Sequence, residues 1–446
     1  MTKIFAVVGK PIAHSLSPAM HNAAFEALGI DAVYTRMAAK DAKDAMRTAQ
    51  EIGISGLSVT APFKLEFLKM ASDAAKEAKA IGAANTVVFA GKKIKVFNSD
   101  VKGVADALKQ HGVTIRGKHA LVIGAGGAAK AAVYALRGEG AHATVANRTL
   151  QKAKALAKKF NVKACALAGK EFEKAVSDAS IIVSTASTGE RIIAPGMLRR
   201  GMAVLDSVYA KKTAVALDAK KKGCKVVDGR EWLLYQGVRA FEIFTGRKAP
   251  ASIMRKAIDN AGSASMKKRN IALIGFMGSG KTTLAKEIAT LSGMQAVEID
   301  KRIEKKAGMK IGKIFEKFGE GEFRGLERQE IAKVAKMKNS VISCGGGAVL
   351  DSRNADILKT KCVVVWLWAS PAEIIRRLKG DSSRPLMGRK DRLAAAKEII
   401  SRRLAIYAKS ADFVIGTQGK TPEGIAKLVL DEAKIAMAKR NGKKLA

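Results

Sequence analysis

The chain has 446 residues, of which 80 are Lys or Arg and 40 are Asp or Glu, giving a formal net charge of +40. Its apolar residues, 48% of the total, are interleaved with charged ones, which excludes a disordered or membrane-spanning chain. The length of the chain predicts two or three domains. The four cysteines are scattered and the five histidines lack metal-ligand spacing, so we expect a cytoplasmic protein without disulfides or structural zinc.

The basic residues are dispersed along helical stretches such as 151–159 and are not interleaved with aromatic residues. One interpretation is a nucleic-acid or membrane-binding surface, and the other is a solvated lysine coat that attracts anionic substrates. The dispersion favours the second. We therefore expect no specific nucleic-acid partner and no membrane partner, and the sequence leaves a homodimer open.

Residues 1–102 predict a substrate-binding α/β domain, completed by a returning segment at about 237–262. Ser15 and Ser17 stand together in a tight loop, where two hydroxyls could bind a carboxylate. Any one of the polar residues in this domain could be structural. The candidates are Ser15, Ser17, Thr60, Lys64, Asn85 and Asp100.

Residues 103–236 predict a Rossmann domain. The apolar run 120–123 is followed by a glycine-rich turn whose backbone N–H groups could approach a diphosphate, formed by Gly124, Gly126 and Gly127. The next predicted strand ends in basic and polar residues where NAD sites usually have an acid, which favours NADP(H). These residues are Asn147, Arg148, Thr149 and Lys152.

A small, flexible segment at 263–269 predicts a linker to a second nucleotide-binding domain over 270–446. Here the apolar run 271–274 precedes a complete Walker A loop, which predicts ATP binding with Mg²⁺. Lys281 would reach the β- and γ-phosphates, while Thr282 would ligate Mg²⁺. The other nucleotide-binding candidates are Gly275, Gly278, Ser279, Gly280 and Thr283.

The same domain carries separated arginines and a glycine-rich strand end, a combination that suits an acidic acceptor with hydroxyl groups. Guanidinium groups bind carboxylates in bidentate fashion, and glycines let the backbone approach a ring. The candidates are Asp300, Arg324, Glu327, Gly346, Gly347, Arg384 and Arg403.

The motifs before residue 260 resemble the shikimate dehydrogenase family. They lie at 9–22, 58–64, 81–86, 206–209 and 228–237. The resemblance implies that Ser15 and Ser17 bind the substrate carboxylate and that Lys64 and Asp100 form the catalytic pair. It further implies that the substrate hydroxyls are bound by Thr60, Asn85, Asp100 and Gln236. Tyr209 and Gly229 would lie near the nicotinamide. This chain differs from the usual family sequence at 184–189, Lys211 and Trp232. These differences concern the details of the nicotinamide pocket.

Residues 268–446 are similar to shikimate kinase, which implies a P-loop fold of the nucleoside-monophosphate-kinase type. By this resemblance Asp300 binds the acceptor hydroxyl, and Arg324 and Arg403 bind its carboxylate. Gly346 and Gly347 would pack on the ring, and Glu327 would order Arg324. Arg384, in a lid at about 380–392, would contact the transferred phosphoryl group. Glu298 stands where the kinase family usually has an aspartate, and its longer side chain should still reach Mg²⁺ through a water.

The two families that the chain resembles act on the same small molecule, shikimate. The expected chain is therefore an α/β bifunctional enzyme that reduces 3-dehydroshikimate with NADPH and phosphorylates shikimate with ATP. Two alternatives stay open. The first is a quinate/shikimate dehydrogenase fused to a small-molecule kinase, and the second is a non-catalytic basic binding protein that retained nucleotide-binding folds.

Overall fold

The computed structural model describes residues 1–91, 93–186, 190–209, 212–263, 268–379 and 391–438. Its contacts divide the chain into two compact units. Unit 1 comprises Met1–Pro18, Leu28–Phe63 and Asn260–Ala446, and unit 2 comprises Ala19–Ala27 and Lys64–Asp259. Unit 1 thus combines N-terminal strands with the region of the predicted kinase. The predicted domain boundaries, which are defined by motifs, stay predictions.

The strands and helices alternate, as the apolar runs predict. The strands are β1 (Lys3–Gly9), β2 (Ala32–Ala38), β3 (Gly56–Val59), β4 (Asp73–Ala74), β5 (Thr86–Ala90), β6 (Lys93–Phe97), β7 (His119–Ile123), β8 (His142–Ala146), β9 (Lys163–Cys165), β10 (Ile181–Ser184), β11 (Ala203–Asp206), β12 (Lys225–Val227), β13 (Asn270–Ile274), β14 (Gln295–Glu298), β15 (Ser340–Ser343), β16 (Cys362–Trp368) and β17 (Phe413–Gly416).

The helices are α1 (Ser17–Ala27), α2 (Ala42–Ile52), α3 (Lys64–Lys69), α4 (Lys76–Ile81), α5 (Asp100–Gln110), α6 (Gly127–Gly138), α7 (Leu150–Phe160), α8 (Lys170–Asp178), α9 (Ala214–Lys221), α10 (Gly229–Thr245), α11 (Ala251–Ser263), α12 (Lys281–Ser292), α13 (Ile299–Ala307), α14 (Ile311–Val334), α15 (Ser352–Lys361), α16 (Pro371–Arg377), α17 (Arg392–Ser410) and α18 (Pro422–Ala438). Over the ranges that the structure describes, no helix is both long and apolar enough to cross a membrane.

In unit 1, the strands follow the order β14-β15-β13-β16-β17-β2-β1-β3. Their pairings are parallel. Every residue of β16 is buried, which is typical of a parallel sheet covered on both faces. Such a sheet collects the carboxyl ends of its strands at one edge, so the loop after β13 lies where ligands bind in open α/β folds.

In unit 2, a parallel sheet runs in the order β12-β11-β10-β7-β8-β9. Strand order reverses at β7, which pairs with β10 on one side and β8 on the other. This reversal places the loop after β7 at the switch point of a doubly wound sheet. Helices α5 and α10 also pack closely in this unit, since a Cβ on Gly103 would lie 2.9 Å from Trp232 Cδ1 and from Gln236 Cβ.

Candidate active sites

Unit 2 brings Lys64 and Asp100 together. Lys64 begins α3 and Asp100 begins α5, and Lys64 Nζ donates a hydrogen bond to Asp100 Oδ2 at 2.7 Å. The lysine side chain keeps 24% of its exposure, so a ligand oxygen can reach the ammonium group. Asp100 Oδ1 accepts a second hydrogen bond from Trp232 Nε1 at 3.2 Å. Both carboxylate oxygens are therefore fixed, and the ammonium is held where it can donate a proton.

Two further predicted residues of unit 2 are connected through Ser99. Asn85 Oδ1 accepts from the Ser99 backbone N at 2.7 Å and from Thr86 Oγ1 at 3.0 Å. Ser99 Oγ donates to Gln236 Oε1 at 3.4 Å, and Gln236 Nε2 donates to the Leu233 carbonyl at 2.8 Å. Because their acceptor oxygens are engaged, both amides have a defined orientation at the N-terminus of α5.

The contacts of Ser99 and Trp232 were not predicted from the motifs. Trp232 was expected only as a departure from the related family, whereas in the structure it donates a hydrogen bond to Asp100. The signal in the sequence that could have indicated the Trp232 contact is Gly103, because a glycine there allows the indole on α10 to approach α5 closely.

We expect Trp232→Phe to lower kcat for shikimate oxidation about tenfold with little change in KM, because a hydrogen bond to a charged group contributes about 1.5–3 kcal/mol. The ring would be kept and only the N–H removed, so the Lys64–Asp100 pair would lose one of its restraints. Steady-state kinetics across pH should show a shifted profile. Unchanged kcat and pH profile would refute a positioning role, and normal ATP-dependent activity of the same variant serves as the folding control.

In unit 1, Ser15 lies in the loop after β1 and Ser17 begins α1; both are buried, and their Oγ atoms are 3.3 Å apart. The Ser15 carbonyl accepts hydrogen bonds from Arg36 Nε at 3.0 Å and Nη2 at 2.7 Å. Thr60 follows β3, and its backbone N donates to the Val8 carbonyl. The paired hydroxyls form a small donor cluster of the kind that binds a carboxylate.

The dinucleotide loop follows β7, as predicted. Gly124 has a φ of +117°, and a Cβ there would lie 2.2 Å from Thr185 Oγ1, so no other residue fits without rearrangement. Gly126 caps α6, which begins at Gly127, and a Cβ at either position would meet no atom within 4 Å. The helix N-terminus thus presents accessible backbone N–H groups, which fits a diphosphate.

The residues predicted to select NADP follow β8. Asn147 Nδ2 donates to the Thr149 carbonyl at 3.0 Å, and Thr149 caps α7 with its backbone only. Arg148, Thr149 and Lys152 are exposed, and no acidic residue occupies 147–152. This positively charged turn suits the 2′-phosphate of NADP(H).

Two predicted residues near the nicotinamide also lie in unit 2. Tyr209 is half-buried after β11. Gly229 begins α10, and a Cβ there would lie 2.7 Å from the Asp206 carbonyl oxygen, so glycine is required for the close approach of α10 to this turn.

The phosphate loop of unit 1 lies between β13 and α12. Its three glycines, Gly275, Gly278 and Gly280, all have positive φ values, of +137°, +74° and +93°. This backbone curvature turns successive N–H groups towards one point and forms an anion-binding concavity. Lys281 Nζ donates to the carbonyls of Gly275 and Phe276, each at 2.9 Å.

The remaining nucleotide and metal candidates surround this loop. Ser279 Oγ is buried and makes no hydrogen bond within the described part of the chain. Thr282 and Thr283 are exposed on the first turn of α12, and Thr282 Oγ1 lies 3.4 Å from Ser343 Oγ. Glu298 Oε1 accepts from Lys301 Nζ at 2.9 Å. The described residues include no group of three or more His, Cys, Asp or Glu side chains that could hold a metal ion. Mg²⁺ brought by a nucleotide is usually held by one or two protein ligands.

The acceptor candidates surround the glycine run 345–347. A Cβ on Gly345 would lie 2.7 Å from Glu327 Oε1 and 3.1 Å from Asp300 Oδ1, and a Cβ on Gly347 would lie 2.6 Å from Arg324 Nη2. Only glycines therefore allow these three charged side chains to approach the strand end. Asp300 is in the first turn of α13.

Two glutamates fix the orientation of Arg324, the candidate for binding the carboxylate of the phosphoryl acceptor. Arg324 Nη1 donates to Glu327 Oε2 at 2.7 Å, and Arg324 Nη2 donates to Glu320 Oε1 at 3.0 Å. Burial raises the pKa of Glu327, and the hydrogen bond from Arg324 opposes this effect. Sequence reasoning anticipated Glu327 as the partner of Arg324 but missed Glu320, which lies one helical turn earlier.

Two residues of α17 complete this region. Tyr407 Oη donates to the Gly346 carbonyl at 2.5 Å, which fixes the glycine run against α17. The Arg403 guanidinium, also on α17, lies 5.9 Å from the centre of the Phe276 ring in the phosphate loop. Arg384 and most of the predicted lid lie outside the described residues.

The two sites define a class of protein, a dinucleotide-dependent oxidoreductase joined to a P-loop kinase. Family models match in four places, described as shikimate dehydrogenase substrate binding domain (7–87), shikimate / quinate 5-dehydrogenase (106–210), shikimate 5′-dehydrogenase C-terminal domain (229–258) and shikimate kinase (277–434). A shikimate dehydrogenase (NADP(+)) of Methanosarcina acetivorans is 40% identical over 278 residues, covering 58% of this chain and 98% of the relative. The chain therefore belongs to the shikimate dehydrogenase family and carries a shikimate kinase domain, which makes it a bifunctional shikimate-pathway enzyme.

Solved structures agree with this assignment. Shikimate 5-dehydrogenase from Thermus thermophilus, in complex with NADP(H) and shikimate, is 35% identical with a TM-score of 0.55, covering 58% of this chain and 100% of that one. Quinate dehydrogenase from Corynebacterium glutamicum in complex with NAD is 27% identical with a TM-score of 0.55, covering 58% of this chain and 99% of that one. The resemblances read from the motifs are thus confirmed, while the individual residue roles stay predictions.

Proposed function

We propose that this chain reduces 3-dehydroshikimate to shikimate with NADPH and then converts shikimate and ATP to shikimate 3-phosphate and ADP. The observation that carries the first step is the 2.7 Å Lys64–Asp100 pair, whose ammonium group stays accessible. The glycine-lined phosphate loop and the charged residues around 345–347 support the second step.

For the reduction, Lys64 donates a proton to the oxygen of the ring ketone and stabilises the charge that develops there. Asp100 orients the ammonium and binds a substrate hydroxyl. Ser15 and Ser17 bind the carboxylate, and Thr60, Asn85 and Gln236 bind hydroxyls. NADPH, when bound, supplies the hydride. The residues present fit NADPH, because the open backbone at Gly126 and Gly127 would hold the diphosphate of the cofactor. Tyr209 and Gly229 would lie near its nicotinamide.

For the phosphorylation, Asp300 orients the acceptor hydroxyl and accepts its proton, while Arg324 and Arg403 bind the carboxylate. Gly346 and Gly347 allow the ring to lie against the backbone. Lys281 leaves its two loop carbonyls and contacts the β- and γ-phosphates of ATP. Thr282 and Glu298 would hold Mg²⁺, which supplies charge neutralisation on the phosphates, and Arg384 contacts the transferred group.

Arg148→Ala should raise the KM for NADPH about tenfold and leave the KM for NADH unchanged, because it removes one charge-assisted hydrogen bond of about 1.5–3 kcal/mol to the 2′-phosphate. Initial rates with both cofactors would measure this. Arg137→Ala, which removes an exposed arginine at the end of α6, is the matched control. Equal effects on the two cofactors would contradict the assignment of the 2′-phosphate site.

A one-pot assay tests the proposal. Intact protein supplied with 3-dehydroshikimate, NADPH and ATP should consume NADPH first and then release ADP, with shikimate 3-phosphate as the end product. Omission of NADPH should stop both signals, whereas added shikimate should restore ADP release alone. A non-catalytic binding protein would give neither signal.

The second candidate is a dehydrogenase that prefers quinate, favoured by the similarity to the quinate dehydrogenase structure and by the family model over 106–210, which is described as shikimate / quinate 5-dehydrogenase. Quinate carries an extra hydroxyl on the carbon that bears the carboxylate. The closely spaced Ser15 and Ser17 hydroxyls and the basic turn at 147–152 support shikimate and NADP instead. The ratio of kcat/KM for the two acids decides between them.

We further propose a cytoplasmic location, on the basis of the scattered cysteines, and no specific nucleic-acid or membrane partner, on the basis of the dispersed charge. A homodimer is compatible with the sequence, and sedimentation of the intact chain would test it. The division into a substrate domain (1–102 with 237–262), a Rossmann domain (103–236), a linker (263–269) and a kinase domain (270–446) remains our proposal for the sequence-defined domains.

A further inference from the structure

Unit 1 joins the first strands of the chain directly to the kinase region. Strands β17 and β2 pair in parallel, with Val414 opposite Met37 and Ile415 opposite Ala38. The sheet that begins in the kinase thus continues into the strands that carry the Ser15/Ser17 loop and Thr60. This pairing places two binding loops next to residues from the opposite end of the sequence.

The first of these is the loop 10–17, which carries Ser15 and Ser17. The Ile12 backbone N donates to both carboxylate oxygens of Glu432, at 3.0 and 2.9 Å, and the Ala13 backbone N donates to Glu432 Oε2 at 2.7 Å. Glu432 lies on α18, at the end of the kinase region, and is 1% exposed. Arg36 adds a second connection, because it donates to the carbonyls of both Ser15 and Asp412.

The second is the loop 416–420 of the kinase region. Lys420 Nζ lies 2.6 Å from Asp44 Oδ1 on α2, and these side chains are 5% and 1% exposed. Arg47, also on α2, donates to Asp44 Oδ1 at 2.9 Å and to the Gln418 carbonyl at 2.7 Å. Here the N-terminal segment fixes a kinase loop.

That kinase loop borders a cavity beside the phosphate loop. The cavity has a volume of about 280 Å³ and is lined by Gly280, Thr283, Arg377, Thr417 and Lys420, among others. Its position next to the first turn of α12 is where the nucleoside of ATP would lie if its phosphates occupy the glycine loop.

We infer that the two activities depend on each other's segments through these contacts: Glu432 of the kinase region positions the shikimate-binding loop of the dehydrogenase, and Asp44 of the dehydrogenase positions the nucleotide-side loop of the kinase. The inference rests on the function proposed above. Neither residue contacts a reacting atom, so both are positioning residues. Separate enzymes would have no need for this reciprocal arrangement, whereas a fused chain can use one half as scaffold for the other.

The test is a crossed pattern of effects in the intact chain. Glu432→Gln keeps the shape of the side chain but presents an N–H₂ group to the loop N–H groups, so the KM for shikimate in NADP⁺ reduction should rise about tenfold. The KM for ATP in the kinase reaction should stay within about twofold of wild type. Asp431→Asn, an exposed neighbour on α18, is the matched control and should change neither.

Asp44→Asn should give the converse result. Lys420 would lose its buried charge partner, so the KM for ATP should rise about tenfold while the KM for shikimate in NADP⁺ reduction stays unchanged. Asp31→Asn, an exposed aspartate in the same N-terminal segment, is its control. The inference would be overturned if Glu432→Gln changed only the KM for ATP and Asp44→Asn changed only the KM for shikimate. It would also be overturned if each variant and its control gave equal KM values.

Amide hydrogen exchange supplies a readout that does not depend on activity. In Glu432→Gln the amides of Ile12 and Ala13 should exchange at least about tenfold faster, because they lose their carboxylate acceptor. Unchanged exchange in a folded variant would also overturn the inference. If the wild-type chain lacked one of the two activities, the proposed function would fail, but the exchange experiment would still report on the contact.

Discussion

Lys64→Ala is expected to lower kcat for NADPH-dependent reduction by on the order of a thousandfold, since general acid catalysis contributes about 10²–10⁴. The variant loses both the proposed proton donor and the positive charge near the developing alkoxide. Asp100 Oδ2 also loses the 2.7 Å hydrogen bond that it accepts from Lys64 Nζ. ATP-dependent phosphorylation of shikimate should stay near normal. The measurement is a pair of assays on one preparation, one following NADPH absorbance and one following ADP release.

Two further variants sharpen this test. Lys69→Ala removes an exposed lysine from the same short helix and should leave both activities intact. Lys64→Arg keeps the positive charge but releases a proton far less readily, so its rate should remain low. If both activities fell together in Lys64→Ala, the two would share a site, and the assignment of Lys64 to the reduction alone would be wrong.

The second large effect concerns the kinase. Lys281→Ala should lower kcat for shikimate phosphorylation by about 10²–10³, because in the proposed mechanism the ammonium stabilises charge on the transferring phosphoryl group. Its present hydrogen bonds to the Gly275 and Phe276 carbonyls show that the side chain reaches across the loop. The dehydrogenase reaction should be unaffected.

Lys286→Ala, on the same helix and exposed, is the control for loss of a positive charge near the nucleotide. Tightness of ATP binding, measured by calorimetry, would show whether the loss lies in binding or in turnover. Persistence of full ATP turnover in Lys281→Ala would mean that the loop at 275–282 does not hold the transferred phosphate.

The motifs anticipated most of the local structure because each depends on neighbouring residues. A strand followed by closely spaced glycines and a helix has few other conformations available, so both nucleotide loops formed where the glycines predicted. The Lys64–Asp100 pair came from family resemblance, and the structure supplied its geometry. Hydrogen-bond partners to which neither the residue pattern nor the resemblance gave a role were missed, and Trp232, Ser99 and Glu320 are examples.

The sequence by itself determined the identity of the two enzymes, because its motifs resemble those of two known families, whereas glycine spacing alone indicated only that each half binds a nucleotide. Tertiary structure alone decided how strands from opposite ends of the chain share a sheet and how Glu432 and Asp44 come to hold distant loops. The physical reason is that a buried carboxylate can be accommodated only where partners from elsewhere in the chain satisfy it. Which donors reach it depends on packing between elements about 400 residues apart, such as Ile12 and Glu432, and no local pattern encodes that choice.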